Sequence, residues 1–158
     1  MTQLDQAARN AANAQGNMPT GGFAPLVPEL DVTNIEASLA FWCDLLGFRI
    51  AYARPEAKFA YLERQGAQVM LCEINGEWIT GPLDRPFGRG VNFQIETDQL
   101  LPLLDRLSEA NWPLFRPEKE SWYRISATQE RGSREFLVQD PDGYLLRFSQ
   151  SLGERGAA

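Results

Sequence analysis

None of the 158 residues is a histidine. The side chain that most often holds a transition metal or acts as general base is therefore missing. Any bond-making chemistry would have to run on carboxylates, tyrosines, arginines or the two cysteines. Tyr61, Tyr123, Glu73 and Arg147 are the groups a metal-independent isomerase or lyase could use, but no recognisable acid–base pair stands out along the chain.

Recognition by rings and charge is the second chemistry the residue types allow. Phe59 and Tyr61 alternate with Ala60 and Leu62, so their side chains share one face of a strand, as pocket lining or as core. Trp78, Phe87, Trp112 and Trp122 fall in or beside segments rich in Gly, Pro and charge, where large rings are enriched at recognition surfaces. Trp112 has a plainer reading, closing the second helix against the sheet. Trp122 and Tyr123 lie in the stretch 113–133, which has no core pattern and is expected to form a flap. Between Ala24 and Asp84 nine acidic residues face four basic ones, a local net of −5. That charge is either ordinary solvated surface or complementarity to a cation, with Glu56 best placed because it precedes the Phe59 strand. Cys72, a small apolar thiol on the strand that follows, joins Phe59, Tyr61, Glu56, Trp122, Tyr123 and Phe87 as a candidate ligand-binding residue.

The bulk properties narrow the partners. A formal charge of −6 and a pI of about 4.7 repel phosphate backbones, so a nucleic-acid partner is not expected. Cys43 and Cys72 make no disulfide framework. No apolar run reaches transmembrane length, and Met1–Gly22 lacks the apolar core of a signal peptide, so no membrane partner and a reducing cytoplasmic location are expected.

The elements that must position these residues repeat along the chain. Residues 1–22, rich in Ala, Asn, Gln and Gly, are expected to be a mobile tail, and 153–158 a second short one. Within 23–152, module one (about 23–84) opens with the extended segment 24–30. Thr33-Asn34-Ile35-Glu36 then forms a capping-box pattern, and Ile35, Leu39, Trp42 and Leu46 follow at helical spacing before Gly47. Phe41 and Trp42 are expected in the core. Module two (about 89–152) opens with Val91–Ile95, followed by Thr97 or Asp98 as cap and a helix through Leu100, Leu103, Leu104 and Leu107. Residues 59–66 lie over 136–143, and 69–71 over 146–148, each reading as strand, Gly-containing turn, strand. The expectation is α+β: two βαβββ modules forming cupped mixed sheets with helices outside.

Val27-Pro28, Phe41-Trp42-Cys43-Asp44-Leu45-Leu46-Gly47-Phe48, Arg134-Glu135-Phe136 and Asp140-Pro141-Asp142-Gly143-Tyr144 resemble the vicinal oxygen chelate superfamily, and within it the bleomycin-resistance proteins. The resemblance spans roughly Phe23 to Leu152. It implies a homodimer that binds and sequesters a cationic glycopeptide drug without catalysis or cofactor, conferring resistance. It also implies an aromatic stacking role for Phe59, and a hinge at Pro28 where an N-terminal arm crosses to the partner subunit. The family's enzymes hold a divalent metal, but the corresponding slots here are Val27, Gly90 and Arg147, and a guanidinium has no lone pair to give a metal. A binding module for another aromatic metabolite or antibiotic, or a metal-independent enzyme, is the alternative.

Overall fold

A computed structural model describes residue 16 and residues 18–157; most of the expected N-terminal tail lies outside the described residues. The chain divides into two compact units, up to Leu83 and from Asp84 onward.

In the first unit, β1 (Glu29–Val32) leads to a short helix α1 (Ile35–Leu39), a π-helical segment (Ala40–Leu45) and β2 (Arg49–Arg54). A 3-10 turn (Pro55–Ala57), β3 (Phe59–Arg64) and β4 (Ala67–Glu73) complete it. The sheet order is β1-β4-β3-β2, with β1 parallel to β4 and the rest antiparallel. Asn34, rather than Thr33, caps α1: its side chain accepts from the Ala37 N–H at 2.8 Å. A carboxylate also serves the helix start from a distance: Glu73 reaches from β4 to accept the Ile35 N–H at 3.1 Å. The wide π-helical turn carries the adjacent rings Phe41 and Trp42, and both are almost completely buried. Gly47 closes this segment at φ 73°. Gln65 and Gly66, at φ 48° and 88°, make the tight turn between β3 and β4.

The second unit repeats the plan: β5 (Asn92–Glu96), α2 (Leu101–Glu109), β6 (Leu114–Arg124), β7 (Gln129–Gln139) and β8 (Leu145–Gly156), in the order β5-β8-β7-β6. The N-cap residue of α2 is Leu100 rather than Thr97 or Asp98. Pro102 sets the first turn, and Gln150 of β8 accepts the Leu100 N–H at 3.2 Å. Trp112 closes the helix against the sheet, donating its indole N–H to the Gln139 carbonyl at 2.9 Å. Two expectations are corrected. The stretch 113–133 is not a loose flap but two long paired strands, and β8 runs to Gly156, so 153–156 is strand rather than tail. β6 is an edge strand with little burial on either face, so no periodicity marks it in sequence.

Strand alternation assigns the faces of the first sheet. Leu30, Val32, Ala60, Leu62, Val69 and Leu71 are buried on the side of α1. The opposite face carries Glu29 and Asp31 from β1, Met70 and Cys72 from β4, Phe59 and Tyr61 from β3, and Tyr52 and Arg54 from β2. No helix of the described residues is long and apolar enough to cross a membrane.

Candidate functional site

The face of the first sheet away from α1 gathers rings and charge; Phe59, Tyr61 and Cys72 are buried there in a small cluster with Ala51, and Tyr52 and Met70 are half-buried against it. A register shift between Ile50 and Tyr52 turns the Tyr52 side chain onto the same face as Tyr61. Tyr52 and Tyr61 then stack with centroids 5.0 Å apart and planes 19° from parallel, and Tyr52 tilts against Phe59 at 6.0 Å. The three rings form a ladder along the β2–β3 side. The Arg54 guanidinium lies over the Phe59 ring, 4.0 Å from its centroid. A planar cation therefore already rests on this surface, held by the negative face of the ring.

Across the sheet, Glu29 and Asp31 stand two residues apart on edge strand β1, beside Met70 and Cys72. Burial pushes both carboxyls above the ordinary range; at Glu29 the repulsion of Asp31 adds to this, with Arg54 pulling the other way. Two acidic groups this close together make the β1 edge negative. The Cys72 thiol, buried against Ala51, Phe59 and Tyr61, is also pushed up by burial and then by Glu29 and Asp31. A thiol held neutral is a poor nucleophile, so Cys72 serves as packing. Tyr61 is likewise raised by burial, and its hydroxyl donates to Gln68.

The structure brings Phe59, Tyr61 and Cys72 together. Glu56 lies exposed in the 3-10 turn before β3. Trp122, Tyr123 and Phe87 belong to the second unit. The Trp122 ring packs directly over Gly132, its cross-strand partner, with Arg155 4.0 Å from the ring centroid and its N–H donated to Glu120. Tyr123 is half exposed on β6, and Phe87 is buried edge-on to Tyr144. Pro28 stands just before β1, its carbonyl accepting the Met70 N–H at 2.8 Å. Sequence reasoning missed Tyr52, Arg54, Glu29 and Asp31 as a group.

A separate cleft of about 410 Å³ opens on the helix side, between Ile35 and Leu39 of α1 and Ala53, Phe59 and Ala60. Its polar groups already have partners: Glu73 pairs with Lys58 and accepts the Ile35 N–H, which holds its carboxyl below the ordinary range.

Arg147 sits on β8 opposite Gln94 and Leu137. Its nearest carboxylate is Glu135 at 3.9 Å, and its Nε is buried without a hydrogen-bond partner among the described residues. A guanidinium has no lone pair to give and does not fit a metal centre at that position, and no set of three or more His, Cys, Asp or Glu residues converges to hold an ion among the described residues.

The chain belongs to the glyoxalase/bleomycin resistance protein/dioxygenase superfamily, whose family model matches residues 26–148. It is 27% identical over 138 residues to a bleomycin resistance protein of Geobacillus stearothermophilus, covering 80% of this chain and 96% of that one. Among solved structures, TioX from Micromonospora sp. ML1 aligns with a TM-score of 0.62 at 19% identity, over 82% of this chain and all of that one. A lactoylglutathione lyase from Agrobacterium tumefaciens aligns at 0.53 with 15% identity, over 80% and 92%. These two likenesses define the fold alone, and one fold can host unrelated functions.

Proposed function

We propose that this chain binds and sequesters a planar, cationic drug of the bleomycin type and makes or breaks no bond in doing so. One observation carries the proposal: the stacked ladder of Tyr52, Tyr61 and Phe59 shares a sheet face with the carboxylates of Glu29 and Asp31. Rings supply a stacking surface for a flat heteroaromatic group, and the acids attract its positive end. Arg54 on Phe59 serves as an internal example of the guest such a surface accepts. The bleomycin resistance protein of similar sequence supports this choice of ligand.

In this proposal the protein acts as a cytoplasmic homodimer, with Pro28 stiffening the arm that leads into β1. The contributing residues are Phe59, Tyr61 and Cys72 as anticipated from sequence, extended by Tyr52, Glu29 and Asp31. Sequestration needs affinity and abundance only, so the absence of histidine is no obstacle.

Isothermal titration of the purified protein with metal-free bleomycin tests the proposal. Saturable binding at one or two drug molecules per dimer is expected. Absence of any heat at micromolar drug would overturn it in favour of another aromatic ligand. Elemental analysis tests a metal-dependent activity, since a stoichiometric transition metal would contradict the loss of the metal slot at Arg147.

A further inference from the structure

The segment Met18–Leu26 is fastened across one end of the face that carries the ladder. Thr20 donates its N–H and its hydroxyl to Glu63, at 2.7 and 2.9 Å, and Arg49 pairs with the same carboxylate. Gln68 clasps the backbone a little further on, accepting the Ala24 N–H at 2.9 Å and donating to the Gly22 carbonyl at 2.8 Å. Glu63 and Gln68 are cross-strand partners on β3 and β4, so the two anchors lie side by side. Between them Gly21 and Gly22 adopt φ of 81° and 88°, a conformation that other residues take only with strain. This turn delivers Phe23 to the aromatic ladder.

Phe23 stands edge-on to both tyrosines, 5.6 Å and 88° from Tyr61 and 6.4 Å and 76° from Tyr52. Yet it remains 56% exposed. A phenylalanine that merely completed a core would be covered. This one is held in place by four hydrogen bonds at its flanks while most of its ring faces solvent.

We propose that Phe23 is a specificity-determining contact of the ligand site: a wall at right angles to the ladder that meets a planar aromatic cation along its edge. The inference rests on the stacking function proposed above. The rows of the sheet give the guest a direction. Phe59, Cys72 and Asp31 form one row; Tyr61, Met70 and Glu29 form the next; Glu63 and Gln68, beneath the strap, close the third. Phe59, Tyr61 and Cys72 are buried, so a guest over these rows meets the half-buried Tyr52 and Met70 and the exposed Phe23, with its positive end towards Glu29 on β1. The strap stops it from extending past Glu63. The site therefore selects flat cations of limited length, and Phe23 sets the limit.

The test measures the affinity of the full chain for metal-free bleomycin and for ethidium, a compact planar cation, in the wild type and in Phe23→Ala, Phe23→Leu and Phe23→Tyr. An edge-to-face contact corresponds to a loss of about two- to tenfold in affinity for both ligands in the Ala and Leu variants. Phe23→Tyr, which keeps the ring, is expected to bind as the wild type does. Melting temperatures of all four proteins are expected to stay close together, because the strap is anchored by Thr20 and Ala24 rather than by the ring. If the wild type binds and the Ala variant binds equally well, the assignment of Phe23 falls while the stacking function stands. Affinity losses that merely track losses of melting temperature also overturn it. If the wild type binds neither ligand, both proposals fail together.

Discussion

Removing Arg54 should strengthen binding of a cationic planar drug, although the change deletes a residue from the site itself. The guanidinium occupies the Phe59 ring at 4.0 Å, and Phe59 is otherwise buried, so a guest that stacks there must first displace it. A cation–π contact at an exposed position is worth about 0.5–1 kcal/mol, which the guest no longer has to overcome in Arg54→Ala. Repulsion between two unit charges about 4 Å apart in a water-like dielectric adds about 1 kcal/mol. Together these favour the variant by about 1.5–2 kcal/mol, or roughly ten- to thirtyfold in Kd. Arg54 also lowers the Glu29 carboxyl, so its removal leaves the acidic edge less compensated. Calorimetric titration with metal-free bleomycin at low and moderate salt reads the effect, and the gain should shrink as salt screens the charge contribution. An unchanged or weaker affinity in Arg54→Ala would refute the reasoning, because it would mean that the drug does not use the Phe59 ring or that Arg54 is itself a contact.

The other predictions concern charge and packing. Glu29→Gln with Asp31→Asn should weaken binding of the cationic drug by about tenfold, or about 1.4 kcal/mol, for a charge pair at a partly wet site. The pair is expected to leave the melting temperature at pH 7 unchanged or higher. Both carboxyls are raised in the folded state, so their ionisation costs stability as pH climbs from the ordinary carboxylate range, and amides remove that cost. Glu63 has the opposite sign. Its hydrogen bonds from Thr20 and Arg49 hold its carboxyl below the ordinary value against the effect of burial, so its contribution is present above about pH 4.5 and is lost as pH falls through the lowered value. Glu63→Gln should cost about 1–3 kcal/mol in denaturant unfolding at pH 7 and flatten the acid limb of the stability curve. Gly132→Ala would place a Cβ about 2.7 Å from the Trp122 ring, and it should shift Trp122 emission and cost about 1–3 kcal/mol without altering drug affinity.

The fold was legible where local pattern and tertiary role agree. The repeat, the two hairpins, the Gly47 turn and the buried Phe41 and Trp42 follow from periodicity and turn chemistry. Phe59 and Tyr61 could be placed on one face because β3 is regular, although alternation could not say which face. Tyr52 escaped notice because the irregularity before it breaks the alternation of β2. Glu29 and Asp31 look like the solvent side of an edge strand; only the pairing of β1 with β4 sets them beside Cys72 and the rings. The N-cap of α2 falls at Leu100, beyond Thr97 and Asp98, and the acceptor of its N–H, Gln150, is fifty residues away. The strap was hidden in a polar, glycine-rich opening whose anchors, Glu63 and Gln68, lie more than forty residues downstream.

The central claim is that a flat cation lies against the Tyr52–Tyr61–Phe59 ladder of the first unit. Intermolecular nuclear Overhauser effects between metal-free bleomycin and selectively labelled Phe and Tyr rings measure this contact directly. Cross-peaks from the drug's aromatic protons to Tyr52, Tyr61 or Phe59 are predicted. Saturated binding with cross-peaks only to residues elsewhere, such as Tyr123 or Phe115, would contradict the account.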